Sequence, residues 1–182
     1  MRNFIFGLTG LIFLTTATSA FAADNKSVVL QKLIKAKNQK IEFLLNDKST
    51  KQQAAAYLHE HISDKAVFTL SVLNPELAAG KQSFEMDKTG YINTYIQGTN
   101  FIDNYSVDIK TVNMQPTEDE NKAYSMEIMT ERGTMIDPVT AGRGKDFISQ
   151  TTCRTLHSLE NSEKVVAEGS ECHTEVSYEE NV

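Results

Sequence analysis

Phe147-Ile148-Ser149-Gln150-Thr151-Thr152-Cys153-Arg154-Thr155-Leu156-His157-Ser158-Leu159 and Val165-Val166-Ala167-Glu168-Gly169-Ser170-Glu171-Cys172-His173-Thr174-Glu175-Val176-Ser177-Tyr178 are two runs rich in β-formers. The polar Glu160-Asn161-Ser162-Glu163-Lys164 joins them, and the pattern predicts a long antiparallel hairpin. One register sets Cys153 opposite Cys172. It also sets Phe147 opposite Tyr178, Thr155 opposite Ser170, His157 opposite Glu168 and Leu159 opposite Val166. Side chains alternate along a strand, so all of these share one face. The other face pairs Arg154 with Glu171 and carries Gln150, Thr152, Ser158, His173 and Glu175, which suit solvent. Cross-strand partners stand about 4.5–5.5 Å apart at Cα, which a disulfide can bridge. Cys153–Cys172 is therefore expected as a bond rather than as a catalytic thiol.

Upstream of the hairpin, two more strands are expected. Residues 104–114 place Tyr105, Val107 and Ile109 on one face, and residues 123–132 do the same for Tyr124, Met126 and Ile128. Asp137-Pro138 to Gly144 is a loop before the hairpin. Asp87 caps an expected helix over about 88–97, which Gly98 ends, and a short extended piece over 83–86 precedes it. Residues 66–73 read as a strand broken by Asn74-Pro75. Ser49-Thr50-Lys51-Gln52 has the form of a capping box, opening a helix to about Ile62. Over 26–46, Val29, Leu30, Leu33, Ile34, Ile41, Leu44 and Leu45 make one helical stripe, with Lys32, Lys35, Lys37 and Lys40 assigned to the solvated faces.

The first 22 residues read differently. Met1-Arg2-Asn3 carries one charge, Phe4 to Leu14 is apolar apart from Gly7, Thr9 and Gly10, and Ala20-Phe21-Ala22 has the small-x-small form of a cleavage site. This is the order of a signal peptide, and its apolar run is too short for a retained span of about 20 residues. The expected organisation is residues 1–22 as signal peptide and residues 23–182 as one α+β domain, exported to the periplasm or outside the cell, with no stable anchor after processing. A net charge of −6 excludes nucleic acid as a natural partner, because phosphates demand a basic face. Two cysteines in an exported chain fit a disulfide.

The element order is helix, helix, strand, short strand, helix and four long strands. Ala54-Ala55-Ala56-Tyr57-Leu58 running to Asp64-Lys65-Ala66-Val67-Phe68 resembles the second helix and first strand of the nuclear transport factor two-like superfamily, SnoaL-like domains included. Met86-Asp87-Lys88-Thr89-Gly90-Tyr91-Ile92 with Tyr95-Ile96 resembles its third helix, and the pattern covers nearly all of residues 26–178. A cystatin-like relative has a similar order. The resemblance implies N-terminal helices packed on a curved, mainly antiparallel sheet that forms a cone with a pocket. It further implies small-molecule binding, isomerase or dehydratase chemistry, or protein docking, and homodimers are common among such domains. Fold alone selects none of these functions.

Chemistry-bearing residues are few. His157 beside Glu168 is the one acid–base pair the register constructs, and a carboxylate would raise the basicity of the imidazole. Tyr91, Tyr95, Tyr105, Tyr124 and Met126 could line an apolar pocket carrying a few hydroxyls. Arg143 and Lys145, in Ala141-Gly142-Arg143-Gly144-Lys145, make a basic loop that could dock a partner; the stretch lacks the full phosphate-loop pattern. His59-Glu60-His61 spaces its imidazoles two apart, so on a helix they diverge, and no metal or cofactor is expected. The leading reading is a non-catalytic pocket domain that binds a small apolar ligand or a protein. The alternatives are a cofactor-free isomerase, cyclase or dehydratase using His157 and Glu168, and a subunit of a cell-envelope assembly.

Overall fold

The computed structural model describes residues 15–76, 78–136 and 143–179. Its elements are α1 (Thr15–Leu45), α2 (Lys51–Glu60), β1 (Ile62–Leu73), β2 (Lys81–Asp87), α3 (Lys88–Gly98), β3 (Ile102–Pro116), β4 (Lys122–Ile136), β5 (Arg143–Asn161) and β6 (Lys164–Tyr178). The strands form one mixed sheet in the order β2-β1-β6-β5-β4-β3, parallel only at β1–β6. The sheet does not close, and its register shifts in β3, β5 and β6 mark bulges of the kind that bend strands. The three helices pack on its inner face.

That face is built by alternation. β1 turns Ala66 and Phe68 inward, β4 turns Ala123, Ser125 and Met129, and β5 turns Phe147, Ser149, Thr151, Cys153, Thr155 and His157. Against it α1 lays Leu30, Ile34, Leu44 and Leu45, all buried. Leu30 and Ile34 pack with Ala123 and Val165, while Leu44 and Leu45 pack with Val107, Met129 and Ala54 of α2. A further cluster joins Leu58, Ile62, Ala66, Phe68 and Ile92. Burial of each such large side chain stabilises by about 1.5–3 kcal/mol. Just past α1, Asn46 guards the β3 edge: its side chain both donates to Val107 O and accepts from Val107 N, at 2.8 Å each, as a strand partner would.

Asp87 caps α3 as expected, its Oδ1 accepting from Gly90 N at 2.7 Å. The capping box does not form: Thr50 makes no side-chain cap on α2, and Asp47 instead accepts from Ser49 N at the short 3-10 turn Lys48–Thr50. Lys37 departs from its expected place as well. It is 6% exposed, on the buried stripe between Ile34 and Ile41 rather than on a solvated face. Three-to-four spacing from Ile34 passes through Lys37 and Asn38 before reaching Ile41, so geometry takes both inside.

The hairpin pairs Cys153 with Cys172, Thr155 with Ser170 and Phe147 with Tyr178, and Cys153–Cys172 is a disulfide. Beyond Leu156 the register slips by one, so that His157 faces Ala167 and Leu159 faces Val165. Gly169 causes the slip. It sits at φ +153°, and a Cβ there would stand 2.6 Å from Val67 O on the neighbouring strand. The bulge turns Glu168 to the outer face, where it accepts from Ser158 Oγ. The expected His157–Glu168 pair is not made.

Candidate functional site

Two neighbouring spaces lie inside the cone. The larger, about 200 Å³, is a chamber walled by Phe68, Leu70 and Val72 of β1, Met86 of β2, Tyr91 and Tyr95 of α3, and Met129 and Glu131 of β4. Thr151, Cys172 and Thr174 supply its sheet floor, and Gly98 at the end of α3 forms part of its rim. A smaller space, about 60 Å³, adjoins it and shares Phe68, Tyr91, Tyr95 and Met129. Cys172 lines the first space and Cys153 the second, so the disulfide lies on the floor between them.

The chamber wall is aromatic and sulfur-rich. Phe68 and Tyr91 stack with ring centres 3.9 Å apart, and Tyr95 meets Tyr91 edge-on at 5.0 Å. Tyr95 Oη donates to Met129 Sδ at 3.1 Å. Among the described residues Glu131 is the one carboxyl on this wall, and no Lys, Arg or His lines it. Tyr105 Oη donates to Glu131 Oε1 at 2.7 Å. Burial pushes the Glu131 pKa up, against the lowering effect of that hydrogen bond. Burial likewise raises the Tyr91, Tyr95 and Tyr105 phenols, so all three stay protonated at neutral pH.

Deeper in, the polar residues form a closed network. His157 is fully buried, Asn38 and Ser125 nearly so, and the Glu127 side chain is 14% exposed. Lys37 Nζ lies 3.4 Å from His157 Nδ1 and donates to it. The neutral ring then carries its proton on Nε2, 2.8 Å from Ser125 Oγ. Ser125 Oγ donates in turn to Glu127 Oε1 at 2.9 Å, and Asn38 Nδ2 donates to the same oxygen at 2.7 Å. Burial, then the Lys37 charge, pushes the His157 pKa down to about 4 despite Glu127. Burial also works against ionised Glu127, but the His157 contact and the Lys37 charge outweigh it and hold the carboxyl well below its usual range. For Lys37 burial lowers the pKa, with Glu127 opposing. The arrangement is an amine and a carboxylate bridged by a neutral imidazole and a hydroxyl. His157 is absent from the lining of both spaces.

Of the expected pocket residues, Tyr91 and Tyr95 line the chamber and Tyr105 reaches it through Glu131. Tyr124 and Met126 lie on the outer face: β4 turns its odd-numbered residues inward, and the Arg154 guanidinium stands 3.8 Å from the Tyr124 ring centre. Apolar character misassigned the faces of β4, because Ser125 and Glu127 are inward as partners of His157, Asn38 and Thr155. Lys145 is not on a free tip; it pairs with Glu76 and lies 5.7 Å from the Tyr178 ring centre. Arg143 opens β5 opposite Ile136, its side chain lying outside the described residues, as does most of the preceding loop. His61 stacks on Tyr57 at 4.0 Å, and no group of three metal-ligating side chains occurs among the described residues. Lys37, Asn38, Ser125, Glu127 and Glu131 were not singled out from sequence. The interruption of the α1 stripe at 37–38 was the one available signal.

A curved α+β sheet wrapped on helices, with a chamber inside, defines a cone-shaped pocket protein. Comparison with solved structures shows the same fold in proteins of low sequence identity. A scytalone dehydratase-type protein from Novosphingobium aromaticivorans DSM 12444 superposes with a TM-score of 0.61 at 10% identity, over 87% of this chain and 93% of that one. Hexachlorocyclohexane dehydrochlorinase LinA-type3 from Novosphingobium barchaimii LL02 gives 0.61 at 6%, over 87% and 96%. The β subunit of an aromatic-ring-hydroxylating dioxygenase-type protein from N. aromaticivorans gives 0.57 at 12%, over 82% and 91%. At such identities the likeness establishes the fold alone. No family model and no curated protein matches the sequence.

Proposed function

We propose that this chain is an exported binding protein whose chamber holds a small, largely apolar molecule without converting it. The observation that carries the reading is the chamber wall: aromatic, aliphatic and sulfur side chains around about 200 Å³, with one carboxyl. A dry apolar cavity of roughly 150 Å³ suffices for a single benzene ring, so the ligand is of that order of size. The buried His157 network favours a structural role over a catalytic one, because His157 and Ser125 line neither space and bond to other members of the network. Export rests on residues 1–22 and is compatible with a disulfide and with the finding that no described helix is long and apolar enough to cross a membrane.

Methionine methyl NMR tests the binding reading. Titration with toluene should shift Met86 and Met129, which line the chamber, and leave Met126 on the outer face unmoved. Gly98→Phe should block the shifts, since Gly98 borders the chamber and a Cβ added there meets no neighbouring atom within 4 Å. Uniform small shifts at all three methionines would contradict the reading.

One observation favours a second reading, proton transfer at Glu131. Burial raises its pKa, and a carboxyl so placed can trade a proton with a bound substrate. Elimination from small alicyclic alcohols or chlorides, lost in Glu131→Gln, would support it; the absence of turnover while toluene still binds would sink it.

A further inference from the structure

The chamber is asymmetric in charge, and that asymmetry selects among apolar ligands. Its wall holds one carboxyl and, among the described residues, no cationic side chain. The one basic side chain lining the adjoining space, apart from His61, is Lys37, which is committed to His157. Glu131 uses Oε1 to accept from Tyr105, and its Oε2 takes no hydrogen bond from any described residue. Facing that carboxyl are the phenols of Tyr91 and Tyr95 from α3 and of Tyr105 from β3, and among the described residues lining the chamber there is no ammonium or guanidinium to neutralise it. The rest of the wall is the Phe68–Tyr91–Tyr95 ring series and the thioethers of Met86 and Met129. Ring faces carry negative potential, and thioether sulfur is polarizable. A neutral hydrocarbon would fill the wall but leave Glu131 Oε2 without a partner, whereas a cation would pair with it. An anion would add a second negative charge.

Resting on the binding reading above, we infer that the ligand is a small organic cation, an ammonium clothed in methyl or methylene groups, held by the Phe68–Tyr91–Tyr95 wall with Glu131 as counter-ion. The apolar substituents satisfy the wall, and the charge satisfies the carboxylate. Neither feature alone distinguishes this ligand from a hydrocarbon or from a metal ion; the two together do. The chamber's volume of about 200 Å³ suits a cation of a few carbon atoms around nitrogen.

Choline and 3,3-dimethylbutan-1-ol test the inference, because they differ only in a quaternary nitrogen against a carbon. Calorimetric titration of each into the wild-type protein, with the Met86 and Met129 methyl signals as reporters of place, gives the preference directly. Choline should bind roughly ten-fold or more tightly, although water solvates it better. Glu131→Gln, which keeps an acceptor for Tyr105, should erase the difference between the two probes. The wild-type ratio stands even if that variant misfolds. Equal affinity, or tighter binding of the alcohol, overturns the cation inference and leaves the binding reading intact. If neither probe moves Met86 or Met129, the cation inference falls, and the toluene titration decides the binding reading.

Discussion

Acidification from pH 7 to pH 4.5 should cost roughly 2–3 kcal/mol of folding stability through His157 alone, from its two pKa values and the linkage relation. In the folded protein burial, seconded by Lys37, holds the imidazole down at about 4. In the unfolded chain it returns to about 6.5. As pH falls the unfolded state takes up the proton first, so the contribution is intact above about 6.5 and drains away toward about 4. Glu127 acts in the same direction further down: its depressed pKa gives stability present above about 4.5 and lost as pH falls through the folded value. The assay is urea unfolding at a series of pH values for the wild type and for His157→Gln. The glutamine keeps an acceptor for Lys37 and a donor toward Ser125 but cannot titrate. The variant should be less stable at pH 7, yet its stability should fall less steeply between pH 6.5 and 4.5. Equal slopes, or an NMR titration of His157 in the folded protein at 6.5 or above, would refute the reasoning.

Gly169→Ala should lose roughly 3 kcal/mol or more in urea unfolding, since both the positive φ and the 2.6 Å approach to Val67 O forbid a Cβ. Losing the Cys153–Cys172 bond, which spans 19 residues, in the paired serine variant should cost roughly 3 kcal/mol on the chain-entropy account; a smaller loss would mean that the reduced hairpin keeps its structure when unfolded. Terminal sequencing of the protein from its own host should begin at Ala23; an intact Met1 would remove the basis for export.

Much of this fold was legible because strands and helices advertise their periods. The hairpin is the clearest case: two cysteines and two alternating runs set its register as far as Leu156. There the reading failed, and the reason was in the sequence. A glycine within a strand marks a bulge or a close backbone approach, and Gly169 is both. One residue of slip then replaced Glu168 by Ala167 opposite His157 and dissolved the expected dyad. The faces of β4 were misread for a different reason. Apolar side chains were assigned to the interior, but the cone interior carries a polar network whose members come from α1, β4 and β5. No single segment shows that Lys37, Ser125, Glu127 and His157 meet; only the packing of the helix on the sheet brings them together. Glu131 was invisible for the same reason, being one acidic residue in a strand until Tyr105 and the α3 tyrosines close around it.

The claim on which everything rests is that the cone holds a ligand. Native mass spectrometry of the processed protein purified from its own host, beside Gly98→Phe from the same host, tests it most directly. The account predicts a small non-covalent adduct on the wild type that is lost from the variant. An adduct retained equally by both proteins would place the ligand elsewhere. A bare wild-type mass, together with no response of Met86 and Met129 to toluene or choline, would contradict the claim.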